Sequence, residues 1–252
     1  MAQRKTGSPE ERLRLVQRTI AERGTVRIDE LAGELCVSEM TIRRDLDELE
    51  ALGVARRVRG GASALGPETF ARRQSHNAKA KARIAAKLVE LIPVTGTIAI
   101  DASTTIHRLA AAIAGARDLV VVTNGLDCFH ALTGKPGVTT TLTGGFQEPR
   151  TGSLVGPPAL QCATSFLYDL LVCSGAALDP VLGTSEASVD EAAVKRAFAA
   201  TSARIVLAVD HSKLGTQARA RVFSLGEVDL LVTDLEPSDR RLDPYRDAVE
   251  LR

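Results

Sequence analysis

The chain has 252 residues, 44% hydrophobic and 25% charged, with a net charge of +1. That length exceeds one small module and leaves room for a second domain with its own core. The balanced charge excludes a global basic field, so any affinity for nucleic acid must come from where the arginines sit.

The four cysteines, at 36, 128, 162 and 173, form no CxxC pair. We read them as reduced thiols. His76, His107, His130 and His211 are isolated, so neither a metal site nor a cofactor is expected. The opening MAQRKTGSPEER lacks the apolar core of a signal peptide. No run approaches the roughly 20 apolar residues of a membrane span. A cytoplasmic protein without a membrane partner is expected.

Residues 1–9 read as disordered, and Pro9 followed by Glu10 and Glu11 suits a helix start. Leu13, Val16 and Ile20 mark one amphipathic helix, and Ile28, Leu31, Ala32 and Leu35 a second. Cys36-Val37 is a tight turn into a third helix, with Ser38 as its cap and Gly53 at its stop. Ile42, Leu46 and Leu49 share one stripe of that helix. Arg44 lies opposite, flanked by Met40 and Asp47, with Arg43 and Thr41 on the two sides. Arg56, Arg57 and Arg59 then form a basic hairpin closed by Gly60-Gly61.

Three short helices and a basic hairpin make a winged helix-turn-helix over residues 10–61. Its first 61 residues carry 12 Arg or Lys against 11 Asp or Glu. Placement must therefore do what quantity does not. Ser38, Glu39, Met40, Thr41, Arg43 and Arg44 are candidate contacts in or along the major groove. Arg56, Arg57 and Arg59 are candidates for backbone phosphates. One such helix reads too few bases to find an operator, so a homodimer or homotetramer on repeated half-sites is expected.

Residues 62–76, with Gly66-Pro67, read as a linker. From Asn77, placed as a helix cap, strands and helices alternate to the C-terminus. The expected fold is α/β: a doubly wound, mostly parallel effector domain over 77–252. The charged tail from Glu236 reads as irregular.

Ligands of such sheets gather beyond the carboxyl ends of the strands, and those ends are polar here. Asp101 precedes Ser103, Thr104 and Thr105 at a helix start, an anion site suited to a phosphate ester. Thr123-Asn124 ends the next strand. Gly144-Gly145 ends a third, where missing side chains would let a ligand approach the backbone. Asp210 and Lys213 end a fourth. Glu191 and Lys195, one turn apart, either pair on the surface or line the cleft. This chemistry fits a phosphorylated sugar or polyol. The chain lacks both a GxGxxG after a strand and a GxxxxGK[ST] loop.

Along nearly its full length the chain resembles the DeoR family of bacterial transcriptional regulators. The most specific match is Val37-Ser38, Thr41-Ile42-Arg43-Arg44-Asp45-Leu46, Leu49-Glu50, Gly53, and Arg57 before Gly60-Gly61-Ala62. The second half matches at Phe70 with Arg73, Asn77, Lys81, Asp101 with Thr104-Thr105, Asn124, Gly144-Gly145, Glu191, Lys195 and Asp210 with Lys213. The resemblance implies a repressor of a sugar or nucleoside catabolic operon, released by a phosphorylated intermediate. It also implies a sensor half similar in fold to ribose-5-phosphate isomerase. Two places depart from the family pattern: Ser103 stands where a glycine is usual, and Ser174–Ser188 is atypical. The competing expectation is an isomerase-like enzyme with an accessory N-terminal domain. It lacks an identifiable second carboxylate beside Asp210 to act as a base.

Overall fold

The structure, a computed structural model, describes residues 8–52, 54–64, 70–149 and 151–252. The expected helix stop at Gly53, the Gly66-Pro67 break and most of the N-terminal tail lie outside the described residues. Two compact units divide between Arg72 and Arg73.

In the first unit, helix α1 (Pro9–Arg23) starts at a capping box of Ser8 with Glu11. Strand β1 (Thr25–Arg27) leads into α2 (Ile28–Leu35) and α3 (Glu39–Ala51). Strands β2 (Ala55–Val58) and β3 (Gly61–Ala64) form the wing, with β3 paired between β1 and β2. Val16, Ile20, Leu31, Ile42, Leu46 and Leu49 meet in one core, which places the apolar stripes where periodicity put them. The turn before α3 requires a left-handed residue, and here Cys36 supplies it at φ 52°.

The stretch expected as a linker is more ordered than that. Ala62 is fully buried within β3, and helix α4 (Phe70–Ser75) follows. Short alternation over four small residues gave no periodicity to read, but Ala62 pairs across both neighbouring strands.

In the second unit, α5 (Ala78–Val89), β4 (Thr95–Ile100), α6 (Thr104–Ala112), β5 (Asp118–Thr123), α7 (Leu126–Leu132) and β6 (Val138–Leu142) alternate as expected. A small hairpin of β7 (Phe146–Gln147) and β8 (Leu154–Val155) precedes α8 (Pro157–Ala163) and β9 (Leu170–Cys173). The atypical 174–188 stretch folds as β10 (Ala177–Asp179) and β11 (Gly183–Glu186). After α9 (Val189–Ala199) come β12 (Ile205–Ala208), β13 (Ala220–Arg221), β14 (Leu230–Val232) and β15 (Glu250–Leu251).

Seven of these strands make one all-parallel sheet in the order β15-β14-β12-β9-β4-β5-β6. Residues alternate between its faces. Ile98, Ile100, Val172 and Val206 pack with α5, α6 and α7, while Ala99, Leu171, Cys173 and Leu207 pack with α8 and α9. The tail is not irregular. Leu242 and Tyr245 are buried in a 3-10 segment, and β15 forms the sheet edge. Two residues are too short a strand for sequence patterning to reveal.

Strand order reverses between β4 and β9. That is the switch point, where an open α/β sheet leaves a crevice beyond its carboxyl ends.

Candidate functional site

The first unit presents α3 with Ile42, Asp45, Leu46 and Leu49 buried and Glu39, Met40, Arg43 and Arg44 exposed. Arg44 has no ion-pair partner among the described residues, whereas Arg43 lies 3.5 Å from Glu39, one turn back. The Ser38 hydroxyl accepts the Thr41 N–H and lies 2.9 Å from the Thr41 hydroxyl, so both are committed to the helix start. Buried Asp45 interrupts an apolar stripe and was not anticipated. The Arg12 guanidinium of α1 meets it bidentately at 2.6 and 2.9 Å, fixing α1 against α3.

The three candidate arginines of the wing differ in setting. Successive residues of β2 face opposite ways, so Arg57 turns inward with Ala55 while Arg56 points out. The Arg57 N–H donates to Glu50 at 2.8 Å and its Nε lies 3.2 Å from Asp47. Arg56 and Arg59 remain exposed.

In the second unit, two polar clusters lie along the carboxyl edge of the sheet. The first fills the switch point. Asp101 follows β4 and is fully buried. Its carboxylate accepts from the N–H groups of Ser103 (3.0 Å) and Ser174 (2.8 Å) and lies 2.8 Å from Lys195 Nζ. Lys195 also donates to Glu186 and to the Ser174 carbonyl. Burial opposes charge on Lys195, but Asp101 and Glu186 outweigh it and raise its pKa. Burial raises the Glu186 carboxyl against the pull of Lys195, and nearby Glu191 pushes it further.

Glu191 and Lys195 are thus not a surface pair. Both are buried, and Glu191 accepts instead from the Ser153 hydroxyl at 2.9 Å. Helix α9 turns this face to the sheet because its partners are Asp101, Glu186 and Ser153, none of them near in sequence.

The second cluster surrounds Asp210. Asn77 occupies the residue before α5, but its side chain caps nothing; its φ is 51°. Its amide instead donates to Asp210 at 2.8 Å and to the Ser212 hydroxyl at 2.9 Å. Burial would raise the Asp210 carboxyl, yet the Ser212 hydroxyl, the Asn77 amide and the Ser212 N–H donate to it and, with the Lys213 charge, hold it below its ordinary value. Beside it sits Lys81, 5% exposed. Burial lowers the Lys81 pKa to about 8; Asp210 pulls it up, and Lys213, Arg73 and Arg108 press it down. Lys81 thus feels three like charges and one carboxylate.

The remaining candidates divide. Thr104 and Thr105 are buried at the start of α6, and the Ser103 hydroxyl caps that helix by accepting the Ile106 N–H. The departure at Ser103 therefore serves the helix. The Thr123 hydroxyl accepts the Gly125 N–H. Asn124 donates to the Leu154 carbonyl, and its own buried carbonyl oxygen has no partner among the described residues. At Gly145 a Cβ would lie 2.5 Å from the Val155 carbonyl oxygen, so backbone packing, not ligand approach, demands glycine there. Gly144 does face open space.

Two sequence profiles together cover most of the chain: the DeoR-like helix-turn-helix domain over residues 12–68 and the DeoR C terminal sensor domain over 76–235. The chain belongs to the DeoR family. It is accordingly a DNA-binding transcriptional regulator. The HTH-type transcriptional repressor CsqR of Escherichia coli is 33% identical, over 86% of this chain and 85% of its own. The glycerol-3-phosphate regulon repressor of the same organism is also 33% identical, over 86% and 88%. Among solved structures, ribose 5 phosphate isomerase A from Neisseria gonorrhoeae aligns with 53% of this chain and 52% of its own. That alignment has 17% identity and a TM-score of 0.36, a likeness too faint to carry an argument about chemistry.

For this DeoR-family chain, sequence reasoning about chemistry missed Asp45, Lys81, Glu186 and Arg108. Asp45 and Lys81 stood in the family match but had no assigned role. Lys81 was detectable as a lysine on the apolar side of α5, one turn before Ile84. Glu186 and Arg108 gave no local signal.

Proposed function

We propose that this protein is a repressor of a carbohydrate or nucleoside catabolic operon, working in the cytoplasm as a homo-oligomer on paired half-sites. A phosphorylated sugar or polyol would release it. Arg44, Arg43 and Met40 read or line the major groove, and Arg56 and Arg59 hold phosphates. The ester's phosphate lies against Lys81, Lys213 and the start of α6, with Asn124 and Gly144 along its carbon chain. The observation carrying this reading is the buried Lys81 amid three further cations and one carboxylate. A dianion is drawn to the buried Lys81 ammonium more strongly than a neutral water is.

An isomerase is disfavoured on the same geometry. The Asp101 carboxylate is taken by Lys195 and two N–H groups, and Asp210 by Asn77 and Ser212, so neither is free as a base. The test is a titration of an operator duplex with the full chain, with and without ribose 5-phosphate, sn-glycerol 3-phosphate and related esters. Release by one ester without its turnover is expected. Turnover, or unchanged operator affinity with every ester, sinks the reading.

A further inference from the structure

The last residues of α4 are held from an unexpected side. A helix leaves its final carbonyls without partners, and cationic donors are the natural answer. Here Lys81 Nζ of α5 donates to the Arg73 carbonyl. The Thr104 hydroxyl of α6 donates to the same oxygen at 3.4 Å. Arg108 Nη2, one turn further along α6, donates to the Gln74 carbonyl at 3.1 Å. Gln74 Nε2 lies 3.4 Å from His107 Nδ1. Arg73 and Gln74 are the residues of α4 on the second unit's side of the boundary at Arg72.

Two of these donors are the groups assigned above to the ester's phosphate. We propose that Lys81, Thr104 and Arg108 form a clasp on the end of α4, and that a bound phosphate ester opens it by drawing Lys81 and Thr104 away from the Arg73 carbonyl. The inference rests on the phosphate-sensing reading and adds its route of transmission. A neutral carbonyl offers Lys81 one hydrogen bond. A phosphate dianion offers a charge-assisted one, about twice as strong, and relieves the crowding of Lys81 by Lys213, Arg73 and Arg108. The Thr104 hydroxyl has one proton to donate, so ester and clasp compete for it while the phosphate pulls on Lys81, and the ester binds better to the opened state, as any switching ligand must. Arg108 does not move to the ester; its remaining Nε is buried without a partner among the described residues, and it sets the clasp's residual hold.

The test is hydrogen exchange on the full chain, following a peptide over residues 70–76, with ribose 5-phosphate, sn-glycerol 3-phosphate and inorganic phosphate as probes. Melting temperature is read in parallel. In the unaltered chain, an ester that raises the melting temperature should speed exchange over 70–76 by about fivefold or more, the low end of ordinary coupling. Arg108→Met and the isosteric Thr104→Val should speed it without any ester, and the further increment on adding ester should shrink. A merely structural role would slow or speed both states alike and leave that increment intact. An ester that raises the melting temperature while exchange at 70–76 stays unchanged overturns the clasp and leaves the sensing site standing. If no probe raises the melting temperature, the sensing reading falls and the proposed opening falls with it.

Discussion

Arg44 and Arg57 sit in the same unit, carry the same charge, and should fail differently when removed. Arg44 is exposed and meets no acid among the described residues, so Arg44→Ala should leave the unfolding midpoint unchanged. Operator affinity should fall by the 1–3 kcal/mol or so that a bidentate arginine contact contributes. Arg57 is tied to Asp47, so Arg57→Ala should lower the midpoint of that unit as well. Denaturant unfolding beside operator titration separates the two, and equal midpoint losses would reject the distinction.

Lys81 gives a pH signature. Its folded pKa of about 8 is below the ordinary 10.5, so between those values the unfolded chain binds more protons. Stability must then rise with pH across that window, and the burden on the fold is complete below pH 8. The groups facing Lys81 are Asp210, Lys213, Arg73 and Arg108. Relative to Lys81→Met, the unaltered chain should gain stability from pH 8 to pH 10, measured by urea unfolding. Its affinity for a phosphate ester should fall over the same range while the variant's stays flat. Parallel curves for both proteins would return Lys81 to an ordinary surface pKa.

At the scale of elements, the sheet alternation and the three-helix stripe were legible because each repeats over several residues against one core. What failed was what has no period. Ala62 looks like loop until β1 and β2 flank it, and β15 is two residues long. Asn77 looked like a cap because asparagine before an amphipathic helix commonly is one, but its amide was claimed by Asp210, 133 positions away. Asp45 and Glu186 are acids in buried positions, and only their distant partners Arg12 and Lys195 make sense of them.

Two predictions belong here. At Gly61 a Cβ would stand 1.9 Å from the Val26 carbonyl oxygen, so Gly61→Ala must part β3 from β1. It should cost well over the roughly 1 kcal/mol expected for Gly60→Ala, whose surroundings are open and whose penalty is the positive φ alone. Thermal unfolding of the two variants decides it. At the switch point, Lys195→Met would leave Asp101 and Glu186 buried without their cation, a loss of about 3–5 kcal/mol. Adding Glu186→Gln should recover part of it by removing one uncompensated charge. No recovery would mean that Asp101 alone needs the lysine.

For the molecule as a whole, regulation requires that ester and operator each feel the other. The candidate DNA contacts belong to α3 and the wing, the candidate phosphate contacts to α5, α6 and the turn after β12. These elements fall in separate units with separate cores. No candidate residue is common to the two sets, and the coupling proposed between them is linkage through the chain. Linkage is reciprocal: the factor by which ester weakens operator binding equals the factor by which operator weakens ester binding. A tenfold effect corresponds to about 1.4 kcal/mol, within the ordinary range of such couplings. Titrating ester into the full chain with and without saturating operator duplex should therefore raise its Kd by the factor seen in the reverse titration. The Arg108→Met chain, with its clasp already loosened, should bring both factors toward one together. Ester-induced release with an ester Kd indifferent to operator would place the release outside a two-state linkage and count against the sensor unit as its source.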